Sequence, residues 1–198
     1  QKKEQASFIF SSSCTVYGQA DQMPITEMAA IKKAESPYGN TKQIGEEIIQ
    51  DTCRVSPNIN ATALRYFNPI GAHQSALIGE LPIGVPQNLV PYITQTATGQ
   101  REQLSVFGDN YPTPDGTAIR DYIHVMDLAL GHVASLSRLF NCGPSFTVNL
   151  GTGRGYSLLH VIHAYQQASG RPIPYEIIAR RPGDIAACYA DPALAEEI

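Results

Sequence analysis

Short apolar runs alternate along the chain with longer stretches whose apolar residues recur every three or four positions, a pattern that predicts strands interleaved with helices. Ser7 to Ser12 reads as a buried strand and Ala61 to Phe67 as a second. Leu104 to Phe107, Phe146 to Leu150 and Tyr175 to Ile178 carry the same signal. Ser36-Pro37 marks a helix start, with a hydroxyl able to cap free N–H groups followed by a residue whose fixed φ suits the first turn. That helix runs through Ile44, Ile48 and Ile49 toward Arg54, weakened by Gly39 and Gly45. Val125 to Leu139 places Leu128, Leu130, Val133, Leu136 and Leu139 at helical spacing with Asp127 in the first turn, and Ser157 to Ala168 reads as another helix. Asn68 to Pro91, rich in Gly and Pro, reads as a long functional loop, and Leu89 to Thr98 is compatible with a helix. The alternation predicts an α/β fold built on a parallel sheet.

Composition narrows the class. The chain has 198 residues, 43% hydrophobic content and a net charge of −4, enough apolar matter for a core and one to two domains. Mild acidity offers no electrostatic reason to expect nucleic acid or an anionic membrane as partner. No apolar run approaches the ~20 residues of a membrane span. The opening QKKEQASFIF lacks the apolar core and cleavage site of a signal peptide and passes quickly into a strand, so the stretch is expected to be cut from a longer chain. Cys14, Cys53, Cys142 and Cys188 show no CxxC or paired spacing, which favours reduced cytosolic thiols over a disulfide framework or a zinc site.

The chemistry concentrates at Tyr38-Gly39-Asn40-Thr41-Lys42. On a helix, residues four apart share a face, and an ammonium beside a phenol favours phenolate. A free phenol titrates near pH ~10 and is a poor base at neutral pH without such help. Ser13 stands 25 positions earlier, at the end of the first strand, where its hydroxyl could share a substrate oxygen with Tyr38. A YxxxK alone is a weak signal; with the serine-bearing strand it is a strong one.

The segments FIFSSSCTVYG, SPYGNTK, LRYFNPIGAH, RDYIHVMDLA, NLGTGRGYS and RRPGD stand in the order found in extended short-chain dehydrogenase/reductases, and from about Phe8 onward they resemble the UDP-glucose 4-epimerase family, animal type. The resemblance implies the second part of a Rossmann-like parallel sheet, with residues 1–70 in the NAD-binding domain. Residues 71–198 would form mainly a smaller α/β domain for the UDP-sugar, with 111–150 partly returning to the first. It implies NAD as cofactor, UDP-hexoses as substrates and interconversion of UDP-galactose and UDP-glucose through a 4-keto sugar, in galactose metabolism. By the same resemblance Tyr38 is the base, Ser13 holds the 4-oxygen, and Lys42 tunes Tyr38 and holds the nicotinamide ribose. Ser11, Tyr38, Lys42 and Tyr66 would bind cofactor; Ser13, Asn68, Asn88, Val106, Phe107, Arg120, Arg181, Asp184 and Cys188 would bind substrate. Arg120 and Arg181 suit the diphosphate, since a guanidinium can offer two parallel bonds to phosphate oxygens. A small Cys188, where bacterial-type relatives commonly hold tyrosine, implies room for an N-acetyl group and thus activity on UDP-GalNAc/UDP-GlcNAc. A cytoplasmic homodimer is expected, with the Tyr38 helix at its two-fold interface. The glycine-rich NAD loop would lie upstream of Gln1, the C-terminus would stop short of the family's, and the stretch by itself is expected to be inactive.

Three alternatives stay open: a nucleotide-sugar reductase, a dehydratase (disfavoured because Ser13-Cys14-Thr15 stands where the dehydratases resemble T-D-E), and an inactive remnant. Gly151-Thr152-Gly153-Arg154-Gly155 mimics a dinucleotide fingerprint but has its third glycine one place early, and reads as a turn. His160 and His163 share a helical face without further ligands, so no metal is expected; His73, His124 and His132 carry no assigned catalytic role.

Overall fold

A computed structural model describes residues 5–141 and 143–198. The reading of the first four residues, and of Cys142 as a reduced thiol, falls outside the described residues. In chain order the elements are β1 (Ala6–Ser13), a single 3-10 turn (Cys14–Tyr17), α1 (Pro37–Val55), β2 (Ile59–Tyr66), β3 (Asn68–Ile70), α2 (Leu89–Ala97), β4 (Leu104–Phe107), β5 (Ile119–His124), α3 (Val125–Phe140), β6 (Phe146–Leu150), β7 (Gly155–Ser157), α4 (Leu158–Ser169), β8 (Tyr175–Ile178), β9 (Ala187–Cys188) and α5 (Ala193–Glu197).

The main layer is the Rossmann-like parallel sheet, ordered β1-β2-β6. Ala6 to Ser13 pair along their full length with Ile59 to Tyr66, and Thr62 to Tyr66 with Phe146 to Leu150. Parallel neighbours must be joined by crossovers, and α1 makes the first of them. Ser36 starts that helix as its pattern requires, its Oγ accepting from the Gly39 N–H at 3.1 Å, with Pro37 in the first turn. The α3 helix packs on the sheet through a core of Leu64, Ile123, Leu128, Val148 and Leu150. A second core of Ile93, Leu104, Val106, Ile162 and Ile173 holds α2 and α4 against the parallel pair β4-β8. Each such buried aliphatic stabilises the fold by roughly 1.5–3 kcal/mol.

Between the two cores β5 acts as the connector, parallel to β3 and β9 and antiparallel to β7. It carries Arg120 and Asp121 in mid-strand, and these charges hide it from a hydrophobic pattern. The expected loop at Asn68 to Pro91 is shortened at both ends: Asn68–Ile70 pairs with β5, and α2 begins at Leu89. Pro91 fits inside α2 because first-turn N–H groups have no intrahelical acceptor to lose.

Candidate functional site

The carboxyl ends of β1 and β2 bring five of the expected residues together, where ligands bind in open α/β sheets. Lys42, one helical turn after Tyr38, reaches back to β1: its Nζ donates to the Ser11 carbonyl at 2.8 Å. The same ammonium lies 5.4 Å from the centroid of the Tyr38 ring and 5.3 Å from that of Phe10. Tyr38 itself is 54% exposed. The Ser11 and Tyr66 hydroxyls are hydrogen-bonded at 2.8 Å. Ser13, buried at the end of β1, accepts from the Thr15 N–H at 3.2 Å, which caps the 3-10 turn.

A contact not anticipated from sequence orders this corner. His132 lies on α3 with its Nδ1 2.8 Å from the Leu128 carbonyl, so Nδ1 carries the proton and Nε2 is an acceptor. The Tyr66 hydroxyl donates to that Nε2 at 2.5 Å. Burial raises the Tyr66 phenol above its ordinary value, more than the Ser11 hydrogen bond lowers it, so Tyr66 remains a neutral donor. A lone histidine on a helix gave no hint of this role.

The second group lines a cavity of about 230 Å³ between β3, β4, β5 and the Arg181 loop. Asn68, Asn88, Phe107, Arg120, Arg181 and Asp184 all face it. Arg120 is held before any ligand arrives, with NH1 donating to the Ile119 and Ile185 carbonyls at 2.8 and 2.9 Å and NH2 4.0 Å from Asp184 Oδ1. The Arg181 guanidinium stacks 3.7 Å from the Phe107 ring centroid. Asn88 Nδ2 donates to Glu80 Oε1 at 2.7 Å. Tyr122, not singled out in the sequence, also lines the wall; burial pushes its phenol up to about 12 despite the opposing influence of Arg120. Two expected residues stand back from this wall. The Val106 side chain is fully buried in the second core, which leaves its backbone as the part able to meet a ligand. Cys188 packs with Val16, Tyr17, Ile25, Phe67 and Ala190.

The glycine-rich turn after β6 embraces a carboxylate of the chain's own. Asp121, with no exposed surface, accepts from the Thr152 N–H at 2.8 Å, Thr152 Oγ1 at 2.7 Å, and the Gly153 and Ala190 N–H groups at 3.1 Å each. Gly151 is required by this approach, since a Cβ there would stand 2.5 Å from Asp121 Oδ2. Behind β1 and β2 runs a second buried network. Arg65 Nε and NH2 donate to Glu46 Oε1 and Oε2 at 2.9 and 2.6 Å, and NH1 donates to the Tyr17 hydroxyl at 2.9 Å. Tyr17 in turn donates to Asn149 Oδ1 at 2.7 Å, and Ser12 donates to Glu46 at 2.5 Å. Burial disfavours the charged guanidinium, but the Glu46 and Tyr17 bonds outweigh it and hold Arg65 above its ordinary value. The Tyr17 phenol is raised, chiefly by burial. Among the described residues no group of three or more His, Cys, Asp or Glu side chains could hold a metal ion; the His160 ring packs on Tyr156, with centroids 5.2 Å apart.

The family model described as the NAD dependent epimerase/dehydratase family matches residues 1–151, more than half of the chain. The chain belongs to that family. Within this epimerase/dehydratase family it is 54% identical to the mouse UDP-glucose 4-epimerase over 191 residues, 96% of this chain and 55% of the mouse protein. The crystal structure of UDP-glucose 4-epimerase from Bifidobacterium longum in complex with NAD+ and UDP superposes with a TM-score of 0.92 at 52% identity, covering 96% of this chain and 57% of that one. The enzyme of the same name from Stenotrophomonas maltophila, with bound NAD and formylated UDP-arabinopyranose, gives 0.93 at 49% identity, covering 98% and 57%. The chain thus spans about 55% of the length of the relatives it matches. No helix among the described residues is long and apolar enough to cross a membrane.

Proposed function

We propose that this chain is the catalytic and substrate-binding part of an NAD-dependent UDP-glucose 4-epimerase that interconverts UDP-galactose and UDP-glucose through a 4-keto sugar. The single observation that carries the reading is the Lys42 bridge to the Ser11 carbonyl, which sets Tyr38 beside an ammonium and within one strand end of Ser13. Tyr38, Lys42 and Ser13 are the proposed catalytic residues. Ser11, Tyr38, Lys42 and Tyr66 form the edge proposed to receive the nicotinamide half of NAD. The fit rests on the hydroxyl and ammonium groups gathered there at the carboxyl ends of two parallel strands. NAD, when bound, supplies a reversible acceptor for the hydride at the sugar's C4.

The chain's own part is to hold and move the proton. Tyr38 takes the proton from the sugar 4-hydroxyl and later returns it, Lys42 holds its ammonium beside the Tyr38 ring, and Ser13 donates to the 4-oxygen. Arg120, Arg181 and Asn88 receive the diphosphate region, Phe107 and the Val106 backbone the uracil, Asp184 the ribose, and Asn68 contacts the UDP-sugar. Two guanidiniums facing one cavity support an anionic ligand with separated charges. Cys188, small and packed behind the cavity wall, is the residue whose volume sets acceptance of the N-acetylated pair in this reading. Residues 1–70 complete the cofactor domain, and 71–198 mainly the sugar domain, with 111–150 partly rejoining the first.

The exposed apolar side chains Ile44 and Ile48, one turn apart on α1, support pairing of two copies across that helix. The free thiols of Cys14, Cys53 and Cys188 support a reducing, cytoplasmic setting. The test is the full reading frame, supplied with UDP-galactose and no added reductant. UDP-glucose should appear without net NADH, and Tyr38→Phe should lower the rate about 10²–10⁴-fold. Wild-type turnover in Tyr38→Phe would remove the proposed base, and stoichiometric use of reduced cofactor would favour a reductase instead.

A further inference from the structure

We propose that His132 is a positioning residue for the cofactor edge: by accepting the Tyr66 proton it fixes the direction of a hydroxyl chain and turns Ser11 into an acceptor. This inference deepens the epimerase reading and rests on its assignment of Ser11 and Tyr66 to NAD. Three hydrogen bonds in series carry it. The Nδ1 of His132 is 2.8 Å from the Leu128 carbonyl one turn earlier on α3, and a carbonyl has no proton to give, so the ring proton sits on Nδ1. That leaves Nε2 as an acceptor, and the Tyr66 hydroxyl lies 2.5 Å from it. A phenol has one proton to donate. With that proton on the Nε2 side, the 2.8 Å contact between the Tyr66 and Ser11 hydroxyls has Ser11 as its donor. The Ser11 proton is thereby committed inward, and its oxygen offers lone pairs to the cleft.

Packing of α3 on the sheet puts the imidazole in reach. Gly131, its neighbour in sequence, lets the helix approach closely, since a Cβ at that position would stand 3.0 Å from Leu150 Cδ1. Leu150 on β6 is the register partner of Tyr66 on β2. The imidazole and phenol rings meet with centroids 5.4 Å apart, tilted by 54°. Ser11 is then held from two helices. Its carbonyl accepts from Lys42 of α1, and its hydroxyl is tied through Tyr66 to His132 of α3. A hydroxyl free to rotate presents either a proton or a lone pair, whereas the anchored chain presents an acceptor, suited to an O–H or N–H donor on the cofactor. Groups ordered in advance spare a ligand the cost of ordering them. Since His132 reaches the edge through Tyr66, its effect falls on cofactor binding and not on the proton that Tyr38 moves.

The test uses the full reading frame and two substitutions that separate ring shape from acceptor. His132→Phe keeps a ring against Tyr66 and removes Nε2; His132→Gln gives up the ring and retains a side-chain oxygen able to accept from Tyr66. NAD+ titrated by calorimetry should bind His132→Phe about tenfold more weakly, the effect of about one lost hydrogen bond, while His132→Gln stays within about threefold of wild type. In a Tyr66→Phe background His132→Phe should bring no further loss, because it acts through that hydroxyl. Conversion of UDP-galactose at saturating NAD+ should change far less than the affinity does. In wild type carrying isotopically labelled histidine, the long-range proton–nitrogen spectrum should show His132 as the Nδ1–H tautomer, its signal identified by its absence from His132→Gln. That spectrum decides the donor direction even should His132→Phe fail to fold. An Nε2–H tautomer would overturn the proposal, as would NAD+ binding weakened as much in His132→Gln as in His132→Phe. Wild type that binds NAD+ yet leaves UDP-galactose unconverted would sink the epimerase reading alone, with His132 still judged by the titrations and the spectrum.

Discussion

Replacing Glu46 with leucine tests the energetics of the core behind the candidate site. The carboxylate accepts three hydrogen bonds, two from Arg65 and one from Ser12, in a setting where the Glu46 and Arg65 side chains are each only 6% exposed. Arginine cannot shed its charge, so the substitution leaves a buried guanidinium with the neutral Tyr17 hydroxyl and no counter-charge at its side. Breaking a buried pair in this way costs about 3–5 kcal/mol. The Ser12 hydroxyl loses its acceptor as well, a further cost of about 1–3 kcal/mol if nothing replaces it. Burying the leucine returns about 1.5–3 kcal/mol, so the net loss should be near 3–5 kcal/mol. Domains of this size are stable by only about 5–15 kcal/mol, so the variant keeps a fraction of the original stability. Arg65→Met should be similarly costly, yet the double variant Glu46→Leu/Arg65→Met should lose less than either single change, since an apolar pair of similar volume needs no compensation. Urea unfolding followed by circular dichroism on the four proteins gives the cycle. A loss below about 1 kcal/mol for Glu46→Leu, or a double variant equal to the sum of the singles, would refute the assignment of a coupled buried pair.

Other changes probe separate features. Gly151→Ala sets a methyl 2.5 Å from Asp121 Oδ2 and 2.7 Å from the Ala190 Cβ, so it should cost about 1–3 kcal/mol and lower the melting temperature by several degrees; an unchanged melt would show that the turn yields freely. Burial raises the Asp115 carboxyl, but hydrogen bonds from Ser157 and Thr117 outweigh it, and its folded value lies below the ordinary 3.8. That stabilisation is complete above the unfolded value and disappears as pH falls through the folded one. The melting-temperature difference between wild type and Asp115→Asn should therefore be present at neutral pH and fade below about pH 4, and a difference constant with pH would contradict it. In the full-length enzyme Cys188→Tyr should suppress turnover of UDP-GalNAc more than that of UDP-galactose, with a packing cost of about 1–3 kcal/mol visible in its unfolding curve; equal loss on both substrates would remove the volume argument.

The main sheet and its helices were legible because each one carries a clean signal. The alternation at β1 and β2, the Ser36-Pro37 start and the leucine spacing of α3 all depend on nearest neighbours along the chain. The connector β5 was not legible, because RDYIH places two charges in a strand, and what satisfies them comes from Thr152, Gly153, Ala190 and Ile185, far away in sequence. The two-residue β9 and the three-residue β3 and β7 are too short for any period to register. Within the candidate site, the Tyr38-Lys42 pairing follows from helical spacing alone, whereas the Lys42 bond to Ser11 and the Tyr66 bond to His132 are set by how α1 and α3 settle on the sheet.

The carboxylate of Asp121 fastens the turn after β6 and the segment after β9 to one point, the latter 69 residues away along the chain. Such a rivet uncouples the shape of the anion-facing wall from the helix that intervenes. Insertions or deletions at the distal end of α3, around residue 141, can accumulate during evolution while the Arg120 guanidinium keeps its aim, and a lineage that loses Asp121 should show drift in both anchored segments together.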